Sequence, residues 1–155
     1  MNKRIIVYIL GWVLLIEGAA MQIATVTSFI YGEHEGLYFL ITGAASAFLG
    51  LMAVKIKKPK NMVLYQKAGF AATALSWIIM SLVGCLPFWL SGEIPSFIDA
   101  FFETVSGFTT TGSSILLDVE SLSHGMLIWR SFLNWLGGMG VIVFLLAIIP
   151  KLGGQ

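Results

Sequence analysis

Apolar side chains dominate residues 5–30, 37–54, 68–90 and 126–149, with short polar segments between them. A bilayer core of about 30 Å takes about 20 helical residues to cross. The first three runs meet that test, and the fourth meets it if Arg130 is tolerated within it. A fifth apolar piece, Phe97 to Phe108, is too short: as a helix it would reach about 18 Å. Its Phe97, Phe101, Val105 and Phe108 fall on one helical face. The pattern predicts an all-α integral membrane protein. It has four transmembrane helices, one re-entrant half-helix between the third and fourth, and an extended loop after the half-helix.

Local signals support a helix start at the short piece. Pro95 precedes it, Ser96 can cap it, and Asp99 lies three residues after the cap near the positive end of the helix dipole. Ser106 and Gly107 weaken the helix, and Thr109, Thr110, Thr111, Gly112, Ser113 and Ser114 follow. Bare backbone at membrane depth is tolerated only when buried in protein or lining a water-filled path. A helix C-terminus carries partial negative charge, and the carbonyls of an extended loop can replace an ion's water shell. Gly112 permits backbone angles that other residues resist. The loop therefore reads either as a cation site on a half-helix or as an ordinary external Ser/Thr loop.

Composition agrees with the membrane class. Hydrophobic residues make up 57% of the 155 and charged residues 11%, against about a quarter charged in soluble domains. The net charge of +1 gives no basis for binding nucleic acid. Placement of charge says more. Lys3 and Arg4 precede the first span, Lys55, Lys57, Lys58, Lys60 and Lys67 lie between the second and third, and Lys151 follows the fourth. Glu33 and Glu35 lie between the first and second, and Glu93, Asp99, Glu103, Asp118 and Glu120 between the third and fourth. The positive-inside rule then places both termini in the cytoplasm and the Thr-rich loop outside. A cleaved signal peptide fits Lys3–Arg4 and "EGAA" loosely, but the apolar run continues to Ile30, long enough to span. Cys85 is the single cysteine, so no intrachain disulfide forms and one thiol builds no metal site. His34 and His124 lack ligand spacing and read as solvated loop residues. With no nucleophile–base pair and no metal-ligand set, an enzyme is not expected.

The stretches "FFETVSGFTTTGSSIL" and "WRSFLNWLGGMGVIVFLLAIIP" resemble the first pore repeat of the TrkH/KtrB/HKT potassium-transporter superfamily, closest to bacterial TrkH. The resemblance runs the whole chain in order. Residues 1–60 match the helix pair that precedes the pore repeats, and 61–155 match one membrane-pore-membrane unit. It implies potassium uptake across the cytoplasmic (inner) membrane as a channel-like, multi-pass transporter. In that family four repeats of one chain surround one pore. The filter strand carried onto this sequence is Thr110, Thr111, Gly112 and Ser113, with Thr109 leading in, and K+ as the transported ion. No cofactor is implied. Gly112 leans towards potassium, because serine at that position accompanies sodium transport in some plant relatives. Expected partners are membrane lipid, potassium ion, a second full-length chain in a dimer, and a cytosolic nucleotide-binding regulatory subunit. Repeats two to four do not appear before "IIPKLGGQ", so the chain reads as an N-terminal fragment or a truncated frame. A self-assembling short cation channel and a non-conducting assembly or regulatory membrane protein are the alternatives.

Within the spans, Arg130 lies near the outer end of the fourth, and Glu103 on the half-helix is its natural partner. The pair would either brace the half-helix against the fourth span or tune the field of the pore; the brace is favoured. Gly137, Gly138 and Gly140 on the fourth span would permit close packing against the half-helix or serve as a hinge. Glu17 has no evident basic partner: it would be protonated, pair with an absent group, or relay protons. Trp77, Trp89, Trp129 and Trp135 read as interfacial anchors.

Overall fold

The computed structural model describes residues 3–58 and 66–152. Six helices and no strand occur among them: α1 Lys3–Ile30, α2 Gly36–Ile56, α3 Gln66–Gly84, α4 Leu86–Leu90, α5 Phe97–Phe108 and α6 His124–Leu152. Lys60, the boundary at 60/61 between the two expected units, and the Lys151 side chain lie outside the described set. Helices α1 and α2 and the stretch Lys67–Leu90 are long and apolar enough to cross a membrane.

The expected third span is not one continuous helix. α3 ends at Gly84, and Cys85 caps the short α4, whose first turn holds Pro87. Proline has no N–H to give and its ring crowds the carbonyl four residues back, so a helix breaks there. The Gly84 carbonyl at the break accepts the indole N–H of Trp129 at 2.9 Å. Trp129 is 0% exposed. The interfacial-anchor reading therefore fails for this residue, because its polar edge satisfies a carbonyl inside the protein. Trp135, 57% exposed, and Trp89 remain at the surface.

α1 and α2 pack through glycines spaced by seven residues. Gly11 faces Gly50, Gly18 faces Gly43, and Gly36 faces Thr25 and Ser28. Each facing pair runs in opposite chain directions, so the helices are antiparallel. A Cβ on Gly18 would stand 2.7 Å from the Gly43 carbonyl oxygen, and one on Gly50 2.6 Å from that of Gly11. Backbone against backbone leaves nothing able to move aside. In lipid, where apolar surface alone does not drive association, such close approach is what holds two helices together. Ser46 adds a hydroxyl bond to the Leu14 carbonyl, 2.9 Å.

The core gathers around α5. Phe88, Ala100, Phe108, Met126, Trp129 and Leu133 are fully buried together with Met21 and Phe39 of the α1–α2 pair. α5 and α6 run side by side in the same direction, because Glu103 meets Arg130, Gly107 meets Leu133 and Phe108 meets Gly137 in order. The chain then returns along 109–123 to the start of α6. We expect Gly18→Val to destabilise the fold by about 1–3 kcal/mol through forced overpacking. Gly138→Ala, whose Cβ would meet nothing nearer than 3.9 Å, should be neutral. Thermal unfolding in detergent checks both.

Candidate functional site

α5 begins as its sequence anticipates. Ser96 is extended and its hydroxyl accepts the Asp99 N–H at 3.4 Å. Its end holds more information. Thr110 N–H donates to the Gly107 carbonyl and Thr111 N–H to the Ser106 carbonyl, both at 3.0 Å. These two bonds form a Schellman motif, which needs a left-handed residue just past the helix and normally uses glycine. Here the residue is Thr110, at φ 55. A non-glycine residue in that region costs roughly 1–2 kcal/mol, and such strain collects at functional sites. Gly112 is also left-handed, at φ 79. Two left-handed residues so close together turn the chain back without further secondary structure.

Several side chains fix the returning strand. The Ser106 hydroxyl donates to the Ser113 carbonyl at 2.5 Å. Thr109 Oγ1 donates to the Val105 carbonyl at 2.8 Å and lies 2.8 Å from Thr111 Oγ1. The Thr110 hydroxyl donates to the Thr109 carbonyl at 2.7 Å. Among the described residues no donor reaches the carbonyls of Thr110, Thr111 or Gly112. Residues 109–115 are exposed in the single chain, whereas Thr104, Ser106, Gly107 and Phe108 beneath them are buried. The result is a supported run of unpaired carbonyls on a braced surface.

Glu103 supplies the brace. Its side chain is 1% exposed, and it accepts Arg130 Nε at 2.6 Å. It also accepts the Ser114 hydroxyl at 2.9 Å and the Ile115 N–H at 3.2 Å. Three segments, α5, the return strand and α6, are therefore tied at one carboxylate. Charge-assisted bonds of this kind are about twice as strong as neutral ones.

The three glycines of α6 differ. A Cβ on Gly137 would collide with the carbonyl oxygen of Phe108, the last residue of α5, so glycine is required for the helix end to seat. Gly138 and Gly140 have only ordinary contacts, with Thr110 at 3.9 Å and Trp77 at 3.7 Å.

Glu17 is fully buried, and neither carboxyl oxygen has a hydrogen-bond partner among the described residues. It lies against Gly84, at the α3–α4 break and close to Thr104 and Phe108. Among the described residues no basic group pairs with it.

His124 is not merely solvated. Its ring stacks on Tyr31 at 3.8 Å between centroids, and Nδ1 lies 2.7 Å from Glu33 Oε1. The same carboxylate accepts the N–H groups of His124 and Gly125, at 2.8 and 3.1 Å. Glu93 accepts the Ser123 N–H at 3.2 Å. Two carboxylates from separate loops thus sit at the positive end of α6. Burial works to raise the Glu33 pKa, but the bonds from His124 and Gly125 and the nearby imidazole outweigh it, so it lies below its ordinary value. Burial pushes the Glu93 carboxyl up, helped by the charges of Glu35 and Glu33 and partly offset by Ser123.

Comparison with known proteins places these features in a family. Residues 36–155 match the family model TrkH, described as a cation transport protein. The chain is 37% identical over 155 residues to the Trk system potassium uptake protein TrkH of Escherichia coli, covering 99% of this chain and 32% of that protein. It is 36% identical over 148 residues to an uncharacterised cation transporter of Methanocaldococcus jannaschii, covering 96% of this chain and 31% of that protein. The crystal structure of the potassium transporter TrkH from Vibrio parahaemolyticus superposes with a TM-score of 0.90 at 33% identity, covering all of this chain and 33% of that one. The chain spans about a third of the length of the relatives it matches.

Arg130→Leu should destabilise the protein by on the order of 3 kcal/mol, because it leaves Glu103 buried without its cation; the yield of inserted, folded protein reads this. Glu33→Gln should lower stability at neutral pH by up to about 1 kcal/mol. Because the Glu33 pKa is lowered on folding, its contribution is complete above its ordinary 4.5 and is lost as pH falls through the depressed value. The gap between wild type and Glu33→Gln should therefore close in acid, as unfolding measured against pH would show.

Proposed function

The chain belongs to the TrkH family of cation transport proteins, and on that premise we propose that it supplies one strand of a potassium filter in the cytoplasmic membrane. The observation that carries the reading is the run of carbonyls at Thr110, Thr111 and Gly112, unpaired among the described residues and mounted on the buried, braced end of a 12-residue helix. Potassium is the cation because the Escherichia coli and Vibrio parahaemolyticus relatives are potassium proteins by name. Ser113 completes the strand as its weakest ligand, since its carbonyl already accepts from Ser106.

The proposed topology has four crossings, with α6 as the fourth and α5 as a re-entrant half-helix. Residues 1–60 form the leading helix pair and 61–155 the membrane-pore-membrane unit. Two features support it. α5 descends beside α6 for less than half of that helix's length and the chain turns back. The exposed basic residues Lys3, Arg4, Lys55, Lys57, Lys58 and Lys67 gather at one end, and the acids Glu33, Glu35 and Glu93 at the other, which supports the reading that both termini are cytoplasmic. Glu103 and Arg130 brace the strand, Gly137 seats the half-helix, and Gly138 and Gly140 make only ordinary contacts with Thr110 and Trp77. The remaining three strands come from further repeats of a longer chain or from further copies. A dimer and a cytosolic nucleotide-binding regulatory subunit are part of the same proposal through family membership.

Potassium uptake by cells deleted at the encoding locus, with and without the restored gene, tests the reading. Deletion should abolish a component of uptake; unchanged uptake would refute it. In restored cells Gly112→Ser has room for its side chain but not the preferred backbone, at φ 79. A strain of roughly 1–2 kcal/mol should lower discrimination for potassium over sodium by about tenfold. Competition uptake measures this.

A further inference from the structure

Ser106 joins both limbs of the proposed filter, and no part of the proposed function so far assigns it a role. Its carbonyl accepts the Thr111 N–H at 3.0 Å and the Gly112 N–H at 3.5 Å. Its hydroxyl reaches the Ser113 carbonyl at 2.5 Å. The residue is 6% exposed, so water does not compete for either group. One buried residue therefore bonds backbone groups of three successive residues, Thr111, the left-handed Gly112 and Ser113.

We propose that Ser106 is a positioning residue that sets the cation specificity of the strand. This rests on the filter reading above. The bonds at 111 and 112 fix the two amides whose neighbouring carbonyls, those of Thr110 and Thr111, are two of the three unpaired ones. The hydroxyl fixes the opposite edge by holding the Ser113 carbonyl. Just before these points, Thr110 is kept at φ 55 between its own N–H bond to Gly107 and the Thr111 N–H bond to Ser106, a conformation threonine leaves when the surrounding bonds no longer over-determine it. A filter selects by the number and placement of its carbonyl dipoles. Removing the hydroxyl frees one end of the strand, so the spacing of the carbonyls is no longer imposed. Glu103 differs in kind: it ties residues 114 and 115 and a separate helix, so its loss acts on folding.

The test replaces Ser106 at the encoding locus by Ala, Cys and Thr, and measures potassium uptake against concentration and in competition with sodium, normalised to inserted protein. Ser106→Ala should raise the potassium KM and lower potassium-over-sodium discrimination by about tenfold each, the effect of one lost buried hydrogen bond, with maximal rate per inserted molecule within about twofold. Ser106→Thr, which keeps the hydroxyl, should restore both. If the alanine variant does not accumulate, Ser106→Cys, similar in volume with a weak donor, should show an intermediate shift. Wild-type KM and discrimination in the alanine or cysteine variant would overturn the proposal. So would a loss that follows protein amount alone, or one that threonine does not rescue. If deletion of the locus leaves uptake intact, the filter reading fails and this inference with it. If deletion abolishes uptake and the alanine variant behaves as wild type, only this inference fails.

Discussion

A carboxylate removed from water must be answered by donors, and Glu103 meets that requirement in a way that orders its surroundings. Arg130 approaches from α6, and the Ser114 hydroxyl and Ile115 N–H approach from the return strand. Each donor brings its own segment with it. Without the carboxylate, α5 would have only apolar contacts to α6, and residues 114–116 would have little to hold them against the helix. The same geometry explains why Gly137 is needed: the pair can close only if the end of α5 lies directly on the α6 backbone.

Local chain chemistry then decides what this scaffold presents. A Schellman ending with threonine at its left-handed position is strained, and the strain is tolerated because Ser106 and the threonine hydroxyls bond every neighbouring group they can reach. Among the described residues the backbone groups left unbonded in this stretch include the carbonyls of Thr110, Thr111 and Gly112. In water that would be unremarkable. On a polypeptide with three helices long and apolar enough to cross a membrane, such carbonyls supply the oxygen ligands that the proposed filter strand needs for an alkali cation.

Much of this was legible in the chain before any coordinates. The apolar runs placed α1, α2, α5 and α6 to within a few residues, and the third run covered α3 and α4 together, because long apolar stretches have few other solutions. Ser96 announced the start of α5, and a lone arginine and a lone acid in apolar surroundings announced Arg130 and Glu103 as a pair. Other features were hidden for physical reasons. The break at Gly84–Cys85 was signalled by Pro87 but masked by unbroken hydrophobicity. The left-handed turn at Thr110 was invisible because the expected glycine stands two residues later. The seven-residue glycine spacing of Gly11 and Gly18 against Gly36, Gly43 and Gly50 was present in the sequence, yet it acquires meaning only when the two helices are paired. Trp129 resembled an interfacial anchor because sequence cannot show that a carbonyl waits for its indole.

Glu17 of α1 is buried beside Gly84, which also neighbours Thr104 and Phe108 of α5, so α1 packs at the base of the same half-helix. The most direct measurement is the location of a heavy alkali-like cation: thallium substituted for potassium, followed by anomalous scattering from crystals of the assembled protein. A peak is expected against the carbonyls of Thr110, Thr111 and Gly112. Thallium bound elsewhere, with this strand empty and open to bulk solvent, would contradict its role as a filter.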